Sequence, residues 1–295
     1  MNRTLLALMG IAAVAVLAGG QPAVAGTIWS CTQSNWSSDS HLMSYDTVTQ
    51  SLADYGAIGG LSLLTDLAVS DAGALYGVGF PNSSGRGQGM LYALTPGGGG
   101  ATGYSALTVN GSFSGQVNGM AWYGDALYVS SNDSRFYKLT GESDGSWTVA
   151  KQGKLKHASS GDLAFAADGT LYAVVRSGNN AKLATIDYDV GSKHFGKDTF
   201  VGAKAGYKDV YGLAFSDGVL YGAATSGNFA DSTLVTFDLG TGSASCVGKA
   251  GVPVWGMASG GGPGHVPEPG TVALMSIGIA GLVLRRRGRR AASKS

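Results

Sequence analysis

Apolar and polar positions along the chain recur as one phrase. It consists of a small or acidic residue, Leu or Met, Ala, an aromatic residue or Val, a short polar turn, then Leu-Tyr and a small residue or Val. Four full copies occur: Asp66-Leu67-Ala68-Val69 with Leu75-Tyr76-Gly77, Gly119-Met120-Ala121-Trp122 with Leu127-Tyr128-Val129, Asp162-Leu163-Ala164-Phe165 with Leu171-Tyr172-Ala173, and Gly212-Leu213-Ala214-Phe215 with Leu220-Tyr221-Gly222. A fifth opens at Gly256-Met257-Ala258 and stops. The repeated alanines lie 53, 43, 50 and 44 residues apart, close to the ~40–50 of propeller blades. Asp71-Ala72-Gly73, Gly124-Asp125, Asp168-Gly169 and Asp217-Gly218 separate the two apolar runs of each copy, which predicts a hairpin there. A third strand follows at 90–94, 135–139, 183–187 and 233–238, and a less apolar fourth precedes the next copy. Four antiparallel strands in that span make a propeller blade.

The incomplete fifth copy has its complement at the other end. Ile28-Trp29-Ser30-Cys31 resembles the Leu-Tyr strand, and Met43-Ser44-Tyr45-Asp46-Thr47 resembles Val235-Thr236-Phe237-Asp238-Leu239. The pattern predicts an all-β, five-bladed propeller of four-stranded blades, the last built from 252–259 plus 27–58. Closure by strands from both ends leaves no open sheet edge between first and last blades. A linear β-solenoid would not need complementary half-repeats. The repeated tyrosines, Tyr76, Tyr128, Tyr172 and Tyr221, are expected to pack between blades.

Both ends read as targeting segments outside the fold. Arg3, the apolar stretch Leu5 to Leu17, and Ala23-Val24-Ala25 form a signal peptide over 1–25, with cleavage leaving Gly26 first. After a Gly/Pro linker at 260–266 come Pro267-Glu268-Pro269, an uncharged run to Leu284, and Arg285, Arg286, Arg287, Arg289 and Arg290. Pro-Glu-Pro can continue neither a helix nor a ladder. The 15 residues from Gly270 to Leu284 fall short of the ~20 that cross hydrocarbon comfortably, so flanking arginines must snorkel. The arginines would stay cytoplasmic.

This ending, 267–295, resembles the PEP-CTERM sorting signal of Gram-negative bacteria, with its Pro-Glu-Pro motif, transmembrane helix (here 271–284) and basic tail. The resemblance implies exosortase as a partner, recognising Pro267, Glu268 and Pro269 and cutting nearby. Signal peptidase would act at the other end, and the membrane would hold the C-terminal helix before processing. The expected destination is the cell surface or extracellular matrix.

Charge sharpens the picture only once the ends are removed. The whole chain has 20 basic and 19 acidic residues, but 26–269 keeps 13 basic against 19 acidic, a net charge of −6. That disfavours nucleic acid, which needs a dense basic surface. The 26–259 domain is therefore a mildly acidic propeller.

Candidate chemistry is sparse. Asp66 and Asp162 share one position of the phrase, held elsewhere by Gly119, Gly212 and Gly256, and are expected at the channel. There they would accept backbone hydrogen bonds, or hold a hard cation such as calcium, which takes six to eight oxygen ligands. Cys31 and Cys246, an even pair in an exported chain, permit one disulfide between neighbouring blades. His41, His157, His194 and His265 lack metal-site spacing, and no resident metal or cofactor is expected. Lys151-Gln152-Gly153-Lys154-Leu155-Lys156-His157 is a basic cluster that would face an acidic polysaccharide or simply solvate a strand edge. No His-Glu-x-x-His motif occurs. The reading favoured is an exported, non-catalytic propeller that binds polysaccharide or another surface component. The alternative is an extracytoplasmic lyase or hydrolase of extracellular polymer, with the channel aspartates and His157 or His194 as acid and base.

Overall fold

The computed structural model of the protein describes residues 26–36, 38–80, 89–97, 100–202 and 205–260. It is a ring of five small antiparallel sheets. The chain first makes β1 (Thr27–Thr32), β2 (His41–Asp46) and β3 (Ser51–Ala57). The first complete blade is β4 (Leu63–Val69), β5 (Leu75–Phe80), β6 (Met90–Thr95) and β7 (Gly103–Leu107). A two-residue strand, β8 (Val109–Asn110), leads to β9 (Val117–Tyr123), β10 (Ala126–Ser131), β11 (Arg135–Gly141) and β12 (Trp147–Lys154). The third blade is β13 (Ser159–Phe165), β14 (Leu171–Ser177), β15 (Asn180–Ile186) and β16 (Asp198–Phe200). The fourth is β17 (Asp209–Ser216), β18 (Val219–Thr225), β19 (Thr233–Phe237) and β20 (Ala244–Lys249). The last strand, β21 (Val254–Ser259), pairs antiparallel with β1, so that β21-β1-β2-β3 completes the ring as the half-repeats predict.

The phrase forms the two inner strands of each blade because its hairpin turn forms locally. Asp217 and Gly218 have φ of 50° and 78°, the pair of positive values that a type I′ turn requires. The inner strands β4 and β13 are buried throughout, which explains their continuous apolar runs. Five apolar clusters fill the wedges between neighbouring blades. The repeated tyrosine reaches the next blade's aromatic residue in three of them: Tyr76 stacks on Trp122 with centroids 5.7 Å apart, Tyr128 meets Phe165 at 5.2 Å, and Tyr172 meets Phe215 at 5.8 Å. Each such pair contributes roughly 0.5–1.5 kcal/mol beyond its buried area.

Among the described residues no helix is long and apolar enough to cross a membrane. The segments expected as signal peptide, 1–25, and membrane helix, 271–284, together with Pro267, Glu268, Pro269 and the arginines from Arg285 to Arg290, lie outside the described residues.

Candidate functional site at the channel mouth

The five innermost strands place Asp66, Gly119, Asp162, Gly212 and Gly256 around the channel. A Cβ on Gly256 would overlap Asp66 Oδ1, and one on Gly212 would collide with Met257. Gly256 thus gives Asp66 its room. Every carboxylate oxygen of the pair accepts a backbone N–H. Asp66 Oδ1 accepts from Leu67 at 2.8 Å and Oδ2 from Met120 of the next blade. Asp162 Oδ1 accepts from Leu163 at 2.6 Å, and Oδ2 from Leu213 at 2.7 Å and Met257 at 3.1 Å. One carboxylate ties three blades together.

Both aspartates are fully buried, and they are hydrogen-bonded to each other. Burial pushes Asp66 well above the carboxylate range, and the charge of Asp162 adds to it. Burial likewise raises Asp162 to about 7, against the lowering effect of its hydrogen bonds. The neighbouring Cys31 thiol, also buried, is pushed up by desolvation and by Asp162. Two carboxyls in contact in a dry channel share a proton, and here they plug it.

Above the plug the inner strands are irregular in the same place in every blade. The ladder slips at Thr65, Asn118, Tyr211 and Trp255, and across Ser160-Gly161-Asp162 in the third blade. A bulge leaves its extra residue unpaired and re-aims the side chain. Five bulges in register turn these residues toward one mouth of the channel, where they line a cavity of about 280 Å³. That approaches the ~300 Å³ lower limit of small-molecule sites. The opposite mouth, walled by Met120, Leu163 and Met257, holds only about 40 Å³.

The cavity has two unlike sides. Trp36, in the loop between β1 and β2, packs on Trp255 at 5.6 Å and edge-on to Phe229 at 4.9 Å. Trp255 stacks on Tyr211 at 5.4 Å and 13°. The Tyr211 hydroxyl donates to Asn228 Oδ1 at 2.8 Å and is held above its ordinary value, chiefly by burial. The facing side is polar: Gln116, Asn118, Asn132, Ser159, Ser160 and Arg176. Among the described residues, five buried side-chain polar atoms lack a hydrogen-bond partner, and three belong to this cavity: Asn118 Oδ1, Ser160 Oγ and Trp255 Nε1. Each such orphan costs about 1–3 kcal/mol.

The other sequence candidates fall elsewhere. Cys31 and Cys246 are free thiols, and this corrects the disulfide expectation. Cys31 lies in the core with its Sγ 3.5 Å from Leu64 O, whereas Cys246 is exposed on the outer strand β20. His157 does not meet the channel aspartates. Its Nδ1 lies 2.5 Å from Oδ2 of buried Asp198, and its ring stacks on Phe200 at 4.3 Å. His194 sits exposed in the loop after β15. Lys151 and Lys154 lie exposed on β12, and Lys151 Nζ rests 5.5 Å from the Phe195 ring centre. Among the described residues no group of three or more His, Cys, Asp or Glu is placed to hold a metal ion.

Trp36, Asn118, Ser160, Arg176, Tyr211 and Trp255 escape the sequence reading. For Asn118, Tyr211 and Trp255 the signal was the residue just before the Asp/Gly position, which reads Thr65, Asn118, Gly161, Tyr211 and Trp255. The phrase repeats where blades pack and varies where the mouth is lined.

This geometry defines a closed five-bladed propeller with an amphipathic cavity at one mouth. Residues 265–287 match the PEP-CTERM protein-sorting motif. The motif implies exosortase as processing partner and export to the cell surface or beyond it. Among curated proteins, none matches this sequence. Solved structures similar to the fold include TolB from Acinetobacter baumannii, 14% identical over 76% of this chain and 53% of TolB, with a TM-score of 0.45. This chain thus spans about half the length of TolB. A glutaminyl cyclase from Myxococcus xanthus is 16% identical over 67% of this chain and 70% of the enzyme, TM-score 0.41. The PQQ-bound aldose sugar dehydrogenase from Streptomyces coelicolor is 14% identical over 82% of this chain and 87% of its own, TM-score 0.43. Likenesses at this level carry no inference about ligand or activity.

Proposed function

We propose that this exported protein is a non-catalytic component of the cell surface or extracellular matrix, whose propeller binds polysaccharide at the channel mouth. The observation that carries the reading is the pairing of an aromatic wall, Trp36, Trp255 and Tyr211, with the unpaired polar atoms of Asn118, Ser160 and Trp255. A sugar ring has an apolar face of C–H bonds and an edge of hydroxyls, and this cavity offers a surface to each. Aromatic side chains give large contact area at low entropic cost. A lyase or hydrolase is supported less well. The carboxyls in the channel are sealed from solvent, and Asp162 already accepts three backbone N–H groups.

Titration of the exported protein against a panel of bacterial and plant polysaccharides, followed by tryptophan fluorescence and calorimetry, tests the proposal. Saturable binding without change in polymer length supports it. No binding to any glycan, with an unchanged matrix after gene deletion, removes it, and shortening of a polymer replaces it with the enzyme.

A further inference from the structure

We propose that the sugar held at the mouth carries a carboxylate and that Arg176 receives it, an inference that rests on reading the mouth as a glycan site. Among the described residues Arg176 is the single charged side chain lining the cavity. It stands near the end of β14, where its own N–H donates to Ala158 O at 2.9 Å. One amino nitrogen of its guanidinium lies 3.3 Å from Oδ1 of Asp209. The Asp209 side chain is 9% exposed and that of Arg176 is 53% exposed. Asp209 therefore steadies the guanidinium from behind without covering it. A guanidinium has five N–H donors in a rigid fork, so one contact to Asp209 leaves an edge free for a second carboxylate. Planar, two-pronged recognition of carboxylate is what arginine does better than lysine.

The other orphaned groups agree with an acceptor-rich ligand. Trp255 Nε1 is donor-only and unpaired, the Ser160 hydroxyl carries a donor with no acceptor near it, and both residues are more than nine-tenths buried. A carboxylate only accepts. Asn118 Oδ1, an orphaned acceptor in the cavity lining, suits a ring hydroxyl. Net charge points the same way. Residues 135–208, which supply Ser160 and Arg176, hold 11 basic and seven acidic residues, net +4, while the rest of 26–269 has a net charge of −10. Basic residues so concentrated in one stretch of the chain favour an anionic partner over a neutral one there.

The exported protein is titrated with trigalacturonic acid, with its methyl ester and with maltotriose. The acid is expected to bind at least about tenfold more tightly than the ester. Arg176→Gln should erase that preference by bringing the acid's affinity down to that of the ester. If Arg176→Gln does not fold, Arg176→Lys, which keeps the charge but not the fork, is expected to lose most of the preference. Equal binding of acid and ester overturns the carboxylate inference and leaves the glycan reading intact. Failure of all three sugars overturns the carboxylate inference, while the glycan reading falls only if the wider polysaccharide panel fails as well. Displacement of the acid by equal concentrations of inorganic phosphate or a short oligonucleotide also overturns it, since the mouth would then accept any anion.

Discussion

The proton shared by Asp66 and Asp162 should make this domain lose stability as pH rises toward neutrality. Burial holds Asp162 at about 7 against an ordinary 3.8. Between those values the folded state keeps a proton that the unfolded chain has released, so the linkage slope is negative there. The contribution is fully present below 3.8 and is lost as pH rises through about 7. At about 1.4 kcal/mol per pH unit the loss is on the order of 4 kcal/mol, a large share of the ~5–15 kcal/mol typical of a folded domain. Asp66, raised further, acts in the same direction. The exposed turn residues Asp46, Asp168 and Asp238 are held low by backbone N–H donors and Asp144 mainly by Ser146, so their contribution disappears only as pH falls below the usual carboxylate range. Maximum stability is therefore expected near pH 4–5. Urea unfolding from pH 4 to 8, read by tryptophan fluorescence, gives the slope. Asp162→Asn abolishes its part of that slope, at a fixed cost of about 1–3 kcal/mol for each N–H among Leu163, Leu213 and Met257 left without an acceptor. Native stability that is flat or rising between pH 4 and 7 would refute the reasoning.

Further tests address the ring and its mouth. Gly256→Ala drives a Cβ into Asp66, and should lower stability by about 1–3 kcal/mol from overpacking, measured by chemical unfolding; an unchanged midpoint would count against the packed plug. Trp255→Ala should abolish saturable glycan binding, and Trp36→Ala, more exposed, should weaken it with little change in thermal midpoint; retained affinity in both would move the site elsewhere. Deleting 254–259 removes the strand that pairs with β1, and should yield an aggregating chain with an unpaired inner edge, visible by light scattering. Replacing Pro267, Glu268 and Pro269 by alanine should leave the protein unprocessed at its C-terminus, read by intact mass of the cell-associated protein.

The blades were legible because packing imposes the same demand in every copy. Leu-Tyr and Leu-Ala recur since each wedge between blades needs the same volume, and Asp-Gly at 217–218 announces its turn. The position of Asp66 and Asp162 at the channel also followed from the phrase. Their contact did not, because it depends on the Gly256 of another blade leaving space beside Asp66. The mouth was illegible for the opposite reason. Its residues are the ones that differ between copies, a bulge displaces each from the expected alternation, and Trp36 and Arg176 arrive from a loop and a strand end 140 residues apart. Counting cysteines failed because an even number says nothing about direction, and Cys31 points into the core.

The strand that closes the ring also sets which way the protein faces. Trp255, near the start of β21, belongs to the mouth, while Ala258 and Ser259, at its end, line the opposite opening. Ile28 lies beside Ser259 in the ladder, so the chain enters and leaves the propeller on that same far side. Any tether running on from Gly260 pulls on the floor of the ring, and the aromatic mouth looks outward from whatever holds the tail. Mechanical load applied through the tail falls first on the single ladder joining β21 to β1, the seam at which a pulled propeller would open.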